Sequence, residues 1–275
     1  MSEPFFSIVT VTLNCAADAE HTAQSVLEQT YTNYEYIVKD GGSTDGTVER
    51  LRAFRKPQIH VSPDRGIYSA MNQALAMCSG KYVCFLNAGD LFATPETLAR
   101  VAEVIQGHNH PTFVYGDVRS FSFHPWLSTG ANGSNPARDI QYPDRLNRFY
   151  LFRRMICHQA WFVDRSAYEW HGGFDERYRL LADYALLLDL LVIERARYCH
   201  VPVVTAVFQG GGLSERNAIV TASERQAIQA RVFGRLERWL YSTVYSSAHV
   251  LIRDILYRQV YPRLSPTARR RLNGW

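Results

Sequence analysis

YEYIVKDGGSTDGT, residues 34–47, is the stretch on which the fold turns. Tyr36, Ile37 and Val38 form a short β-rich run that stops at a carboxylate, Asp40, followed by two glycines. Gly41 and Gly42 permit a sharp turn and the close approach of a ligand to the backbone. Ser43, Thr44 and Asp45 then offer helix-capping oxygens, and TVERL, residues 47–51, begins a helical pattern. A strand thus ends in an acid, a tight turn and a new helix. In open α/β sheets the ligand crevice lies at the carboxyl ends of the strands, where Asp40 falls. A carboxylate there can accept hydrogen bonds from a nucleobase or a ribose. The competing reading is a capped turn without a ligand, in which Asp45 is the cap.

Outward from this turn the same grammar repeats. FFSIVTVTL, residues 5–13, reads as a buried first strand, and a helix over 18–29 puts Ala19, Ala23, Val26 and Leu27 on one face. Helices are predicted over 47–55, 67–78 and 95–105, and strands over 58–62, 81–86 and 113–115, the last ending at Gly116 and Asp117. The 81–86 strand runs straight into Asn87-Ala88-Gly89-Asp90. Residues 119–147 show little periodicity and read as an excursion over the active face. Pattern resumes with a strand over 157–163, a short helix capped by Asp164, a helix from about 182, and two short strands within 198–208. Alternating strands and helices predict an α/β fold, a doubly wound and mostly parallel sheet with flanking helices and a helical C-terminal extension.

Composition sets the bounds. The 275 residues are 47% hydrophobic and 20% charged, as in an ordinary globular chain. No apolar run reaches the length of a membrane span, and no signal-peptide pattern opens the sequence. Five cysteines without CxxC spacing read as thiols in a reducing, cytoplasmic setting. The formal charge of +4 is uneven: from residue 213 onward eleven arginines face four acids, which leaves the body mildly acidic. No nucleic-acid recognition motif accompanies that basic tail, so nucleic acid is not expected as a partner.

Several stretches together resemble glycosyltransferase family 2, inverting nucleotide-sugar enzymes of the GT-A fold. They are SIVTVTLN, DGGSTDGT, PDRGIYSAMNQA, FLNAGD, YGDV, CHQAWFV, FDERYRLLADYALLLDL and FQGGGLS, in the family's order. The similarity is greatest to the bacterial branch that builds exopolysaccharide, colanic-acid-like or O-antigen units. It implies a nucleotide-sugar transferase domain over 1–214, with a nucleotide-binding half to about 117 and an acceptor half after it, and a basic tail over 215–275. It implies transfer of one sugar from a nucleotide-diphosphate donor, a UDP-sugar, to a polyprenyl-linked or oligosaccharide acceptor.

Roles follow from the resemblance position by position. Asp40 corresponds to the carboxylate that reads the base, and Thr12, Asn14, Asp64, Arg65, Asn72 and Asn87 to donor-binding positions. Asp90 corresponds to the metal-binding acid, with Mg²⁺ or Mn²⁺ implied, and Asp183 to the catalytic base. His158, Gln159 and Asp117 correspond to an acceptor or sugar pocket. His158 also reads as a structural hydrogen-bonder, and Asp117 as a turn cap. The family's Asp-x-Asp pair is depleted here, since Asn87-Ala88-Gly89 retains neither acid and Asp90 stands alone. A catalytically weak or inactive nucleotide-sugar-binding module is the alternative. A sugar-1-phosphate nucleotidylyltransferase is disfavoured, because SIVTVTLN leads to a polar helix without a Gly-rich phosphate loop.

The tail carries a separate expectation. Over about 222–245, Val232, Leu236, Trp239, Leu240 and Thr243 fall on one helical stripe, and Arg231, Arg235 and Arg238 on another. A basic amphipathic helix with Trp on its apolar face lies in a membrane interface, here the inner face of the plasma membrane. The alternative is packing against the catalytic domain or against a second copy in a homodimer.

Overall fold

The first strand, β1 (Phe6–Thr12), is buried along its whole length: parallel partners, β2 (Tyr34–Asp40) and β4 (Tyr82–Phe85), flank its edges, and core residues cover both faces. Its polar residues Ser7, Thr10 and Thr12 are buried with hydrogen-bond partners, so it shows no apolar–polar alternation. This computed structural model of the protein describes residues 3–121, 138–208 and 217–244. Much of the predicted excursion, the glycine run at 210–212 and the tail beyond 244 lie outside the described residues.

The sheet order is β3-β2-β1-β4-β8-β6-β9-β5. Its first four strands, including β3 (Gln58–Val61), are parallel. Beyond β4 the sheet is mixed. β8 (Trp161–Asp164) runs antiparallel to β4 and to β6 (Phe113–Ser120), and β9 (Tyr198–Phe208) runs parallel to β6. β5 (Leu91–Phe92) and β7 (Arg138–Ile140) add short antiparallel edges. Successive side chains serve opposite faces. Ile8, Tyr36 and Val38 pack with α1 (Ala16–Leu27), α2 (Thr47–Arg52) and α4 (Thr97–Gly107). Val9, Val11 and Ile37 pack with α3 (Ile67–Leu75), α6 (Arg165–His171) and α7 (Ala182–Leu188). The doubly wound arrangement predicted from the alternation is present.

Four local predictions need correction. The Gly116-Asp117 pair does not end its strand but forms a bulge against β9, with register shifts on both sides of Asp117. Glycine is required there, because a Cβ on Gly116 would lie 2.2 Å from the Thr205 side chain. The predicted strand over 157–163 opens instead with a tight helical turn, His158–Ala160, and only Trp161–Asp164 is extended. The two short strands within 198–208 are one strand of 11 residues.

The tail is not one amphipathic helix across 222–245. α8 (Ala218–Val232) stops at Phe233, whose extended backbone and buried ring pack on Phe152 at 5.3 Å and Tyr241 at 6.1 Å. Gly234 then opens the short α9 (Arg235–Trp239). The break splits the expected stripe: Val232 joins the core with Ile228, whereas Leu236 and Trp239 are 69% and 56% exposed.

Candidate active site

The turn after β2 is built around Asp40. Its carboxylate is fully buried and accepts four hydrogen bonds: from Thr12 Oγ1 at 2.8 Å, Ser43 Oγ at 2.6 Å, Gly42 N–H at 2.9 Å and Ser43 N–H at 2.7 Å. Burial by itself would raise its pKa, but these donors outweigh burial and hold the carboxyl below the ordinary carboxylate range. Two acceptor positions per oxygen are thereby filled, so a nucleobase would have to displace one of these donors. Asn14, in a left-handed conformation, staples the end of β1 to the turn: its Oδ1 accepts from Thr44 N–H at 2.9 Å, and its N–H donates to Ser43 Oγ at 2.8 Å. Asp45, expected as the cap, lies one residue before the actual N-cap, Gly46, and accepts from Thr47 N–H at 3.1 Å and from Ala16 N–H at 3.0 Å, at the start of α1.

Two expected donor-binding residues are engaged in joining elements. Asp64 Oδ2 receives Lys39 Nζ at 2.6 Å; the lysine side chain is 0% exposed and also donates to Ser62 O at 2.7 Å. Asn72 clasps Phe174 in both directions, donating to its carbonyl at 2.8 Å and accepting from its N–H at 2.8 Å. Arg65 reaches outward to Glu176 at 3.1 Å.

The other motifs converge. Asp183, in the first turn of α7, is buried; its Oδ1 accepts from Tyr184 N–H at 2.8 Å and lies 2.9 Å from the Tyr68 hydroxyl. Burial and the Asp183 charge push the Tyr68 hydroxyl well above its ordinary pKa, so it remains a donor. His158 Nδ1 lies 2.9 Å from Asp183 Oδ2, and its Nε2 lies 3.1 Å from Asn87 Nδ2. Because the amide nitrogen donates, Nε2 accepts and the ring proton is assigned to Nδ1, facing Asp183. Next door, Gln159 Nε2 donates to Asp90 Oδ2 at 2.9 Å. The adjacent pair His158-Gln159 is therefore cross-linked to both ends of the Asn87–Asp90 turn. Thr22 of α1 holds that turn from the other side, accepting from Gly89 N–H at 3.0 Å and donating to Asp90 O at 2.9 Å.

Asp117 is placed elsewhere, buried in the bulge, where it accepts from Tyr142 N–H at 2.9 Å and faces His200 Nε2 at 2.8 Å. Tyr68, Lys39 and Thr22 were not singled out by sequence. Tyr68 and Thr22 fall inside predicted helices without a signal of their own, whereas a lysine inside a buried strand, one residue before the acid, is a usable signal for Lys39.

Among the described residues no three His, Cys, Asp or Glu side chains cluster as a metal cage. The Asn87–Asp90 turn nonetheless offers one carboxylate and one buried amide oxygen, Asn87 Oδ1, that has no hydrogen-bond partner. A hard divalent cation that draws most of its ligands from phosphate and water needs no more than this from the protein, so the residues fit such an ion.

Similarity to known proteins agrees with this geometry. The model of the family described as Glycosyl transferase family 2 matches residues 7–170. The chain belongs to glycosyl transferase family 2. It is 38% identical over 229 residues to a PGL/p-HBAD biosynthesis glycosyltransferase of Mycobacterium bovis, covering 80% of this chain and 82% of that one. The fold is shared with S. aureus TarS 1–349 solved with UDP, at TM-score 0.61 and 17% identity over 90% of this chain and 74% of that one. It is shared too with the M. tuberculosis glucosyl-3-phosphoglycerate synthase solved with Mn²⁺, UDP and glucosyl-3-phosphoglycerate, at TM-score 0.57 and 17% identity over 84% and 80% of the two chains. These neighbours are GT-A glycosyltransferases, and this glycosyltransferase has their curled α/β sheet. Asp183 falls beyond the span that the family model matches, so its position rests on the geometry. Among the described residues no helix is long and apolar enough to cross a membrane.

Proposed function

We propose that this glycosyltransferase moves one sugar, with inversion, from a UDP-sugar to a hydroxyl of a polyprenyl-linked or oligosaccharide acceptor in bacterial surface polysaccharide synthesis, with Asp183 as base. The observation that carries the reading is the anchoring of Asp183 by Tyr68, Tyr184 and His158, with His158 bonded in turn to the Asn87–Asp90 turn. Tyr184 N–H and the Tyr68 hydroxyl, whose one proton is shared with Leu180 O at 2.9 Å, face Oδ1, and His158 Nδ1 faces Oδ2, which keeps one acceptor position. The acceptor hydroxyl gives its proton to that position as its oxygen bonds the anomeric carbon. The bond from that carbon to the donor diphosphate breaks, and the electron pair leaves with the diphosphate. Asp90 and Asn87 Oδ1 would hold a divalent cation, Mg²⁺ or Mn²⁺, which supplies Lewis-acid neutralisation of the leaving diphosphate. Thr12, Asn14, Asp40, Asp64 and Asn72 shape the donor side, with Asp40 holding the turn against which the nucleotide lies. Gln159 orients Asp90.

Uridine diphosphate release from a panel of UDP-sugars, with and without Mn²⁺ or Mg²⁺ and with polyprenyl-linked acceptor extract, tests the reading. Release that depends on acceptor and is abolished by Asp90→Ala is expected. Donor binding with no release under any condition would favour a non-catalytic binding module, the reading that the depleted Asp-x-Asp motif supports. Attachment to the inner face of the plasma membrane is supported by exposed Leu236 and Trp239 beside Arg235 on α9. A homodimer through the same face is the competing arrangement, and sedimentation with anionic vesicles separates the two.

A further inference from the structure

A cleft of about 720 Å³ opens between the first turn of α3, residues 176–180 and the start of α8. Tyr68 lines it, and the Tyr68 hydroxyl touches Asp183, so a molecule filling the cleft lies against the base's own hydrogen-bond partner. Three arginines, Arg65, Arg177 and Arg179, are among the residues that line the cleft, with one acid, Glu176, and Arg177 is paired with Asp175 outside the wall. Arg65, expected at the donor, is in its wall, whereas Thr12, Asn14, Asp40, Asn87 and Asp90 are not, and Asp183 is reached only through Tyr68.

The cations are held ready. Arg177 is gripped by Asp175 through Nε at 2.9 Å and NH2 at 2.8 Å, yet it is 84% exposed. Arg65 bonds Glu176 and is 86% exposed. No carboxylate among the described residues pairs with the Arg179 guanidinium. The backbone that carries it is fixed, because Glu224 accepts from the N–H groups of Arg179, Leu180 and Leu181 at 2.7, 3.0 and 2.9 Å. The one carboxylate in the wall is already bonded to Arg65. Planar guanidinium forks suit phosphate oxygens.

We propose that this cleft seats the acceptor, and that the acceptor carries a phosphate or diphosphate group which Arg65, Arg177 and Arg179 bind beside the hydroxyl that Asp183 deprotonates. The proposal rests on the transferase reading. It is tested on the full chain saturated with UDP, by calorimetric titration of inorganic pyrophosphate and of geranyl diphosphate. Both probes bind, and an Arg177→Gln/Arg179→Gln variant weakens them by about tenfold or more, as the loss of charge-assisted hydrogen bonds requires, while its affinity for UDP stays as in the wild type. Tighter binding of geranyl diphosphate assigns the phosphate to a lipid carrier, and equal binding assigns it to a soluble phosphate ester. Unchanged probe affinity in the variant overturns the proposal, as does loss of probe binding when UDP is present, which would give the arginines to the donor diphosphate. Failure of the transferase reading shows separately, as a wild-type chain that binds donor but releases no nucleoside diphosphate under any condition; the cleft is then no acceptor site even if it holds the probe.

Discussion

In the proposed reaction Asp183 must be aimed at the acceptor hydroxyl, and its anchored carboxylate keeps one acceptor position on Oδ2 for that contact. Asp183→Asn keeps the shape but gives up the negative charge and most of the basicity. Turnover is expected to fall by about 10²-fold or more while UDP affinity by calorimetry stays close to that of the wild type. Wild-type turnover in this variant would remove Asp183 from the reaction. Asp40 shows how differently a second buried acid can be used. Sequence marks it as a ligand contact, and three of the four donors that fill it, from Gly42 and Ser43, are local to the turn; only the Thr12 hydroxyl, 28 residues away on β1, lies beyond a local pattern.

At the scale of elements, the Lys39–Asp64 pair joins the end of β2 to the loop before α3. Taking two charges out of water is costly, and a single partner left behind is costlier than none. Asp64→Ala strands a fully buried ammonium with one carbonyl, and is expected to lower unfolding stability by about 3 kcal/mol or more. Lys39→Met in the same chain should recover much of that loss. Denaturant unfolding of the two single variants and the double checks it, and additive losses would show that the pair is not coupled. The bulge at Gly116-Asp117 belongs to the same scale. A Gly-Asp pair after three β-formers reads as a stop, and only the Thr205 side chain on the neighbouring strand reveals why glycine is needed within a continuing one.

Across the whole molecule, α8 is tied down by its apolar face and by one charged cluster. Arg231 and His171 both bond Asp189, at 2.9 and 3.1 Å, and His171 Nδ1 faces Gly173 O at 2.9 Å. The hydrogen bond to Asp189 raises the His171 pKa above its ordinary value, with the Gly173 carbonyl adding to it against the opposing effect of burial. A raised folded-state pKa means that the stabilisation is fully present below the unfolded value, near ~6.5, and is lost as pH rises through the folded one. The melting-temperature difference between wild type and His171→Gln should therefore be larger near about pH 5.5 than near about pH 8.5. A difference independent of pH would mean that the imidazole contributes by shape alone. Deleting everything after residue 212 removes Ile228, Val232 and Phe233 from the core, where each buried apolar side chain contributes roughly 1.5–3 kcal/mol. That truncation is expected to lose the cooperative melt of the full chain. Scanning calorimetry of the two proteins decides it.

The alternation of strands and helices, the acid-glycine turn and the order of the motifs were written in local sequence. Strand period, turn residues and helix caps are short-range effects, and they were enough for the doubly wound fold and the family. What lay beyond reach depended on residues far apart in the chain. His158 meets Asp183 and Asn87 across separations of 25 and 71 residues, and Gln159 meets Asp90 across 69. Tyr68 reaches Asp183 across 115. The tail helix breaks at Phe233 and Gly234, where the Phe233 ring packs on Phe152 and on Tyr241 and a glycine interrupts the helical stripe. Local sequence therefore determined which residues could do the chemistry, and tertiary packing alone decided which of them are joined, because hydrogen-bond partners and burial are properties of the assembled fold.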